Sequence, residues 1–297
     1  MAQETGLPAS TLAVRDERGA WRTIWTARDA PREITGAPLL SSLGWHASDA
    51  GDAGLRWHEV ELAGSGEGWR TRLVVAELDP ARIRLRLDSA FTPARSPAWT
   101  VARAPATAIL AVNAGQFEST MPWGWVRIGG QRWLPAQRGP LAPALLLDAS
   151  GTLHWIPGDR VAAAAMLSAS SGIQWAFQSY PALIADDSIV WPLRGAGRGV
   201  SVTHRDARAA LCLARNGKLL VALTRFDALG TSLGFIPFGL TAPEMAGVMA
   251  ALGCRNAMLL DGGVSAQLLV RDADGAAHVW RGVRAVPLAL VAERLIE

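Results

Sequence analysis

From Trp69 onward the chain is divided into short apolar or alternating runs, each closed by Gly, Pro, Asp or Ser, and this pattern calls for a fold of many short strands. Ile83, Leu85 and Leu87 alternate with Arg82, Arg84 and Arg86, the period of a strand with one wet face. The run Trp69 to Leu78 precedes it across a turn at Asp79-Pro80, and further strands are expected at 108–112, 125–128, 144–147, 153–156 and 181–184. Residues 1–55 mix Arg, Asp, Gly and Pro around Trp21, Trp25 and Trp45 without a sustained period, so they read as an irregular N-terminal arm ahead of one domain over 56–297. One elaborated β-rich domain can reach 297 residues. The expected class is α+β: a β-rich mixed sheet with few helices.

The last third carries the sharpest local signals. Asn216-Gly217 between the runs 209–214 and 218–224 suits the positive φ angles of a tight hairpin turn. Thr241, Pro243 and Glu244 form a capping-box start, Met245, Val248, Met249 and Leu252 make one apolar helical face, and Gly253 supplies the left-handed stop. A buried strand is expected over 256–260, ending at Asp261-Gly262-Gly263, and another over 265–270. The C-terminal unit is therefore β-hairpin, helix, strand, turn, strand.

Several function classes fall away on charge and composition. Lysine occurs once, at Lys218, so 28 of the 29 basic residues are arginines, and no block of five or more like charges marks a nucleic-acid stripe. No apolar run approaches the roughly 18 residues of a membrane span, and Met1 to Ser10 lack the basic start and apolar centre of a secretory signal. Cys212 and Cys254 make either one disulfide or two buried thiols, with the thiols favoured, and two cysteines cannot complete a Cys-rich zinc site. The histidines show no metal-ligand spacing, and H-E-x-x-H, G-x-S-x-G, Walker A and G-x-G-x-x-G patterns do not occur.

Chemistry concentrates in a few segments. Asp261 at the end of a buried strand would be held rigidly at the rim of the core; Gly262 and Gly263 let a ligand approach the backbone, and Ser265 adds a hydroxyl. A sharp strand-to-strand turn uses the same residues. Asn113-Ala114-Gly115-Gln116-Phe117-Glu118 also follows a strand and offers amides suited to sugar hydroxyls or phosphate oxygens, plus a second carboxylate at Glu118; a solvated loop is the plain alternative. Pro122-Trp123-Gly124-Trp125 either stacks a sugar ring or plugs the core. Gln178-Ser179-Tyr180-Pro181 enters a strand as another potential wall, and His204, Arg205, Asp206 and Arg208 precede the hairpin, where the Arg208 guanidinium can fork onto a phosphate.

Taken in order, Asn113-Ala114-Gly115-Gln116-Phe117, Pro122-Trp123-Gly124, Gln178-Ser179-Tyr180-Pro181, Arg208 and Leu260-Asp261-Gly262-Gly263-Val264-Ser265 resemble the phosphodiester glycosidase family. The likeness runs from about Trp57 to the C-terminus. Gln116 stands where the family usually has a hydrophobic residue, and Tyr180 where its bacterial branch tends to have Gly, so the pocket is expected to differ. The resemblance implies hydrolysis of a sugar 1-phosphate ester at the anomeric carbon, with Asp261, Arg208, Asn113 and Glu118 as catalytic residues. Gly115, Gln116, Gln178, Ser179, His204, Gly262, Gly263 and Ser265 would then bind substrate. Arg208, Asn113 and the two glycine amides would hold the phosphodiester while Asp261 or Glu118 assists attack. No cofactor is required, although a divalent cation at Asp261 and phosphate fits the same chemistry. The implied partner is a sugar phosphate or glycan, in the periplasm or outside the cell. Two rivals remain: a non-catalytic glycan binder of the same fold, and a metal-dependent phosphodiesterase.

Overall fold

The alternation at residues 83–87 is realised in strand Ile83–Ser89, which buries Ile83, Leu85 and Leu87 and turns Arg84 and Arg86 outward. The computed structural model describes residues 11–15, 18–26, 46–47, 54–64, 71–91, 98–167, 172–194, 199–226, 236 and 238–295. Trp69, the expected start of the preceding strand, lies outside them, and that strand is Thr71–Leu78.

The three larger sheets share a central core. The largest has ten strands, and across its middle Cys254–Leu259, Ala209–Ala214, Leu219–Phe226, Thr71–Leu78 and Leu55–Gly64 lie side by side. A five-stranded sheet runs Ala277–Trp280, Leu268–Arg271, Ala108–Asn113, Leu288–Arg294, Ile83–Ser89; a second runs Gln131–Leu134, Val126–Ile128, Ile173–Gln178, Ala144–Asp148, Leu153–Ile156. The class is the expected β-rich α+β. Every described pairing is antiparallel, which is narrower than the mixed sheet expected. Parallel neighbours need crossovers of a dozen or more residues, usually helical, whereas turns such as Asn216-Gly217 join antiparallel strands directly.

Strand Thr71–Leu78 shows why the centre reads as almost continuously apolar. Val74, Ala76 and Leu78 face a core shared with Leu110, Val112, Leu145 and Phe177 of the smaller sheets. Leu73 and Val75, one residue out of phase, face a second core with Leu183, Cys212, Met245 and Met249. Successive strand residues point to opposite sides, so a sheet covered on both faces loses its polar alternation.

The second core includes one of the two described helices, Ala242–Ala251; the other is Val161–Leu167. Its start is the expected capping box: Glu244 N–H donates to Thr241 Oγ1 (3.3 Å) and Thr241 N–H to Glu244 Oε2 (2.9 Å). Gly253 supplies the positive φ, +82°, that ends it. The expected single apolar face is corrected, since all ten residues are buried. The outer side is covered from the stretch read as irregular: Thr11–Arg15 and Trp21–Thr26 pair as a hairpin and extend the large sheet through Leu55–Gly64. Trp25 of that hairpin packs into the hollow at Gly247, where a Cβ would come within 2.3 Å of the indole. Gly247→Ala is therefore expected to destabilise the protein by about 1–3 kcal/mol through overpacking, despite the roughly 1 kcal/mol alanine gains over glycine within a helix. Urea unfolding with tryptophan fluorescence checks this; an unchanged or higher midpoint rules out the docking of Trp25.

Cys212 and Cys254 form a disulfide rather than the two thiols favoured from composition. They sit on neighbouring antiparallel strands, Ala209–Ala214 and Cys254–Leu259, with their Cα atoms 5.7 Å apart, inside the range that permits a bridge.

Candidate functional site

The buried strand Cys254–Leu259 delivers Asp261 to the junction of the large sheet with the sheet containing Ala108–Asn113. The Asp261 N–H donates to Gly115 O (3.2 Å), and its carbonyl accepts from Asn113 Nδ2 (2.7 Å). Asn113 is fully buried, and its Oδ1 accepts the Gln267 N–H (2.9 Å). Asn113 thus clamps both ends of the Asp261–Gln267 loop, with its amide oxygen and nitrogen both engaged by the protein. Gln267, also fully buried, accepts from Val101 N–H (2.9 Å) and donates to the carbonyls of Ser265 (3.2 Å) and Arg284 (3.3 Å).

The segment 206–208 is docked beneath this turn. Ala207 O accepts the Gly263 N–H (2.8 Å), and a Cβ on Gly262 would lie 2.7 Å from the same carbonyl. Gly263 has φ +59°, and a Cβ there would meet Asp206 Oδ2 at 2.8 Å. Both glycines are thus required by close approach of protein atoms, and the Gly263 amide is spent on Ala207 rather than offered to an anion. The same approach places the Asp206 carboxylate against the turn that bears Asp261.

The two carboxyls share an unusual electrostatic setting. Burial pushes the Asp261 carboxyl up to about 6; the Ser265 hydroxyl and the Arg284 charge oppose this, and the Asp206 charge adds to it. Burial also raises Asp206, against the pull of Arg208, the Ala207 N–H and His204. Burial depresses the Arg208 guanidinium, while Asp206 and Glu244 favour its charged form. Arg208 donates through Nε to Leu240 O (2.8 Å) and through Nη2 to His204 O (2.6 Å), leaving Nη1 as the nitrogen without a described partner. His204 is exposed, 3.5 Å through Nε2 from Asp206 Oδ2.

The remaining expected residues divide cleanly. Ser265 is buried with its hydroxyl on Asp261, and Gly115 lies directly behind the aspartate. The Gln116 amide donates to Tyr180 O, joining the 113–118 loop to an aromatic wall in which Tyr180 and Trp123 meet edge to face at 6.1 Å. Gln178 accepts from Trp125 N–H (3.0 Å) and Gln137 N–H (2.9 Å) and donates to Gln137 O (3.0 Å) and Ala142 O (2.8 Å). With all four positions filled, Gln178 holds the loops together and is not placed to bind substrate. Ser179 is fully buried, donating to Leu259 O (2.5 Å). Glu118 sits exposed on the short hairpin Phe117–Glu118/Met121–Pro122. Phe117 faces Arg284, so its strand neighbour Glu118 is turned the other way.

Gln267 and Arg284 join the candidate site without having been named from the sequence, and Asp206, named there beside Arg208, joins it without having been given a role. Asp206 had a visible signal, since it stands two residues before Arg208 and so shares its side of an extended segment. Gln267 is a polar residue at the start of an apolar run, again a usable hint. Arg284 lies in a loop of mixed composition with no such mark.

A fold comparison finds the zebrafish N-acetylglucosamine-1-phosphodiester α-N-acetylglucosaminidase catalytic domain, auto-inhibited by its pro-peptide, at 15% identity and a TM-score of 0.59, over 84% of this chain and 86% of that one. Also found are a hypothetical protein from Synechocystis (18% identity, TM-score 0.45, 81% and 62% coverage) and a Burkholderia pseudomallei protein described as exported (16%, 0.47, 79% and 77%). No curated protein sequence matches at a significant level. The profile of the phosphodiester glycosidase family matches residues 106–293, well over half of the chain and inclusive of Asn113, Asp206, Arg208, Asp261 and Arg284, so the chain belongs to the phosphodiester glycosidase family.

Proposed function

We propose that this protein hydrolyses the bond between a sugar's anomeric carbon and the oxygen of a phosphodiester. The observation that carries this is a pair of carboxyls: Asp206 lies against Gly263 of the turn that Asp261 begins, the Asp206 charge acts on Asp261, and Arg208 and Arg284 set positive charge beside Asp206 and Asp261 respectively. In the reaction the bond from C1 to the bridging oxygen breaks, water oxygen bonds to C1, and the water proton passes to the carboxyl pair. The products are the free sugar and a phosphomonoester. A phosphate ester leaves with little protonation, so the pair acts as base and electrostatic partner rather than as an acid.

That assignment fixes the pH dependence. The working form of Asp261 is the carboxylate, so kcat/KM should rise with pH through about 6 and level off above it. The Asp206 charge raises Asp261, so Asp206→Asn should shift this rise to lower pH. The plateau should fall by about 10²-fold as the second carboxylate is lost. pH–rate profiles of the two proteins decide it, and an unchanged midpoint with an unchanged plateau removes Asp206 from the mechanism.

The bond cleaved is tested by hydrolysing a synthetic α-glycosyl phosphodiester in oxygen-18 water. The expected phosphomonoester carries no label. Label on phosphorus would instead establish a phosphodiesterase, and saturable glycan binding without product would establish a binding protein.

Export to the periplasm or outside the cell belongs to the same proposal. It is supported by the Cys212–Cys254 disulfide, which suits an oxidising compartment. Among the described residues no helix is long and apolar enough to cross a membrane.

A further inference from the structure

The loop after strand Ala277–Trp280 returns across the Asp261 turn and is pinned there. Val283 N–H (2.7 Å) and Arg284 N–H (3.0 Å) both donate to Val264 O, and the Arg284 carbonyl accepts from Gln267 Nε2 (3.3 Å). Arg225, buried on strand Leu219–Phe226, donates to the carbonyls of Ala266 (2.5 Å), Trp280 (3.3 Å) and Arg281 (3.3 Å), fixing both strands of this crossing. The backbone of residue 284 is therefore seated as firmly as that of Asp261.

Its side chain is placed differently from that of Arg208. The Arg284 guanidinium carbon stands 4.6 Å over the Phe117 ring, and its charge acts on Asp261. Among the described residues it makes no side-chain hydrogen bond or ion pair, and it is exposed. A guanidinium stacked on an aromatic face keeps its planar edge of N–H donors free, and that edge matches two oxygens of a phosphate. Arg208, by contrast, has two nitrogens committed to Leu240 O and His204 O.

We propose that Arg284, stacked on Phe117, is the residue that binds the substrate's phosphate group and so confers specificity for anionic leaving groups. This rests on the phosphodiester proposal above, with Arg208 left to hold the 204–208 and 240 backbones and to place positive charge beside Asp206. Phe117 acts as a positioning residue by fixing the guanidinium plane.

The test combines binding and kinetics on the full chain. Inorganic phosphate binding is measured by calorimetry for wild type, Arg284→Ala, Arg284→Lys and Phe117→Leu at pH 8, where Asp261 is ionised whether or not Arg284 is present. Turnover is measured with an α-glycosyl phosphodiester and with the neutral nitrophenyl glycoside of the same sugar. Arg284→Ala should weaken phosphate binding and raise KM for the phosphodiester about 10- to 100-fold, the size of a lost charge-assisted fork. Arg284→Lys should fall between, because a point charge cannot fork, and the loss on the neutral glycoside should be at least tenfold smaller than that on the phosphodiester. Phosphate binding within twofold of wild type in Arg284→Ala, or equal losses on charged and neutral substrates, overturns the assignment, as does absence of saturable phosphate binding by the wild type. If wild type binds phosphate through Arg284 but cleaves no phosphodiester, the hydrolase proposal fails and the Arg284 assignment stands; cleavage that survives intact in Arg284→Ala gives the reverse.

Discussion

Asp261→Asn protein is expected to lose about 10³-fold or more in kcat and yet to be more stable than wild type at neutral pH. The activity loss follows from the role proposed above for the Asp261 carboxylate at the anomeric carbon. The stability gain follows from burial, which pushes the Asp261 carboxyl up to about 6 from an ordinary value of 3.8. A group whose folded-state pKa is raised contributes stability that is complete below its unfolded pKa and is lost as pH rises through the folded pKa. The window here is thus about pH 4 to 6, and at pH 7 the ionised carboxyl costs about 3 kcal/mol relative to acid conditions. Asparagine cannot ionise and should recover most of that difference. Denaturant unfolding at pH 4 and pH 7.5 checks it: the variant's advantage should appear only at the higher pH. A variant less stable than wild type at pH 7.5 would show that the Asp261 charge is well solvated or paired, which removes the basis for its altered titration.

The second large effect is expected at Asn113. Asn113→Ala leaves the part-buried Asp261 carbonyl and the N–H of the fully buried Gln267 without their partner. Each orphaned buried group costs about 1–3 kcal/mol, so a loss of roughly 2–6 kcal/mol is expected, a large share of a domain's stability. Turnover should fall at temperatures where the protein is still folded, because both ends of the loop that presents Asp261 are released. Thermal unfolding followed by kinetics well below the midpoint separates the two effects. If kcat is unchanged in the folded variant, Asn113 is a stability residue with no part in positioning Asp261.

Much of the molecule was legible in the order of its residues. Strand Ile83–Ser89, the Asn216-Gly217 hairpin and the capping box at Thr241 follow from rules that act within a few residues. Coverage was not legible. The helix Ala242–Ala251 has one evident apolar face, but it is buried all round because Trp25, more than two hundred residues away, fills the hollow at Gly247. Strand Trp21–Thr26 itself lacks a clear alternation because its pairing with Thr11–Arg15 shifts register at Ile24, so that Ile24 and its neighbour Trp25 both pack on the second core.

The site shows the same division. Sequence by itself pointed to segments that meet around Asp261, namely the Asn113 loop, the residues before the hairpin and the Asp261 turn, since strand ends, glycines and polar side chains are recorded locally. Only the tertiary structure decided what each side chain is for. Asn113, Gln178 and Ser179 looked like ligands and are internal clamps, while Asp206 and Arg284 come to the site from separate parts of the chain. The physical reason is that a polar group's role depends on whether its hydrogen-bonding capacity is already filled, and the partners that fill it are brought by folding from far along the sequence.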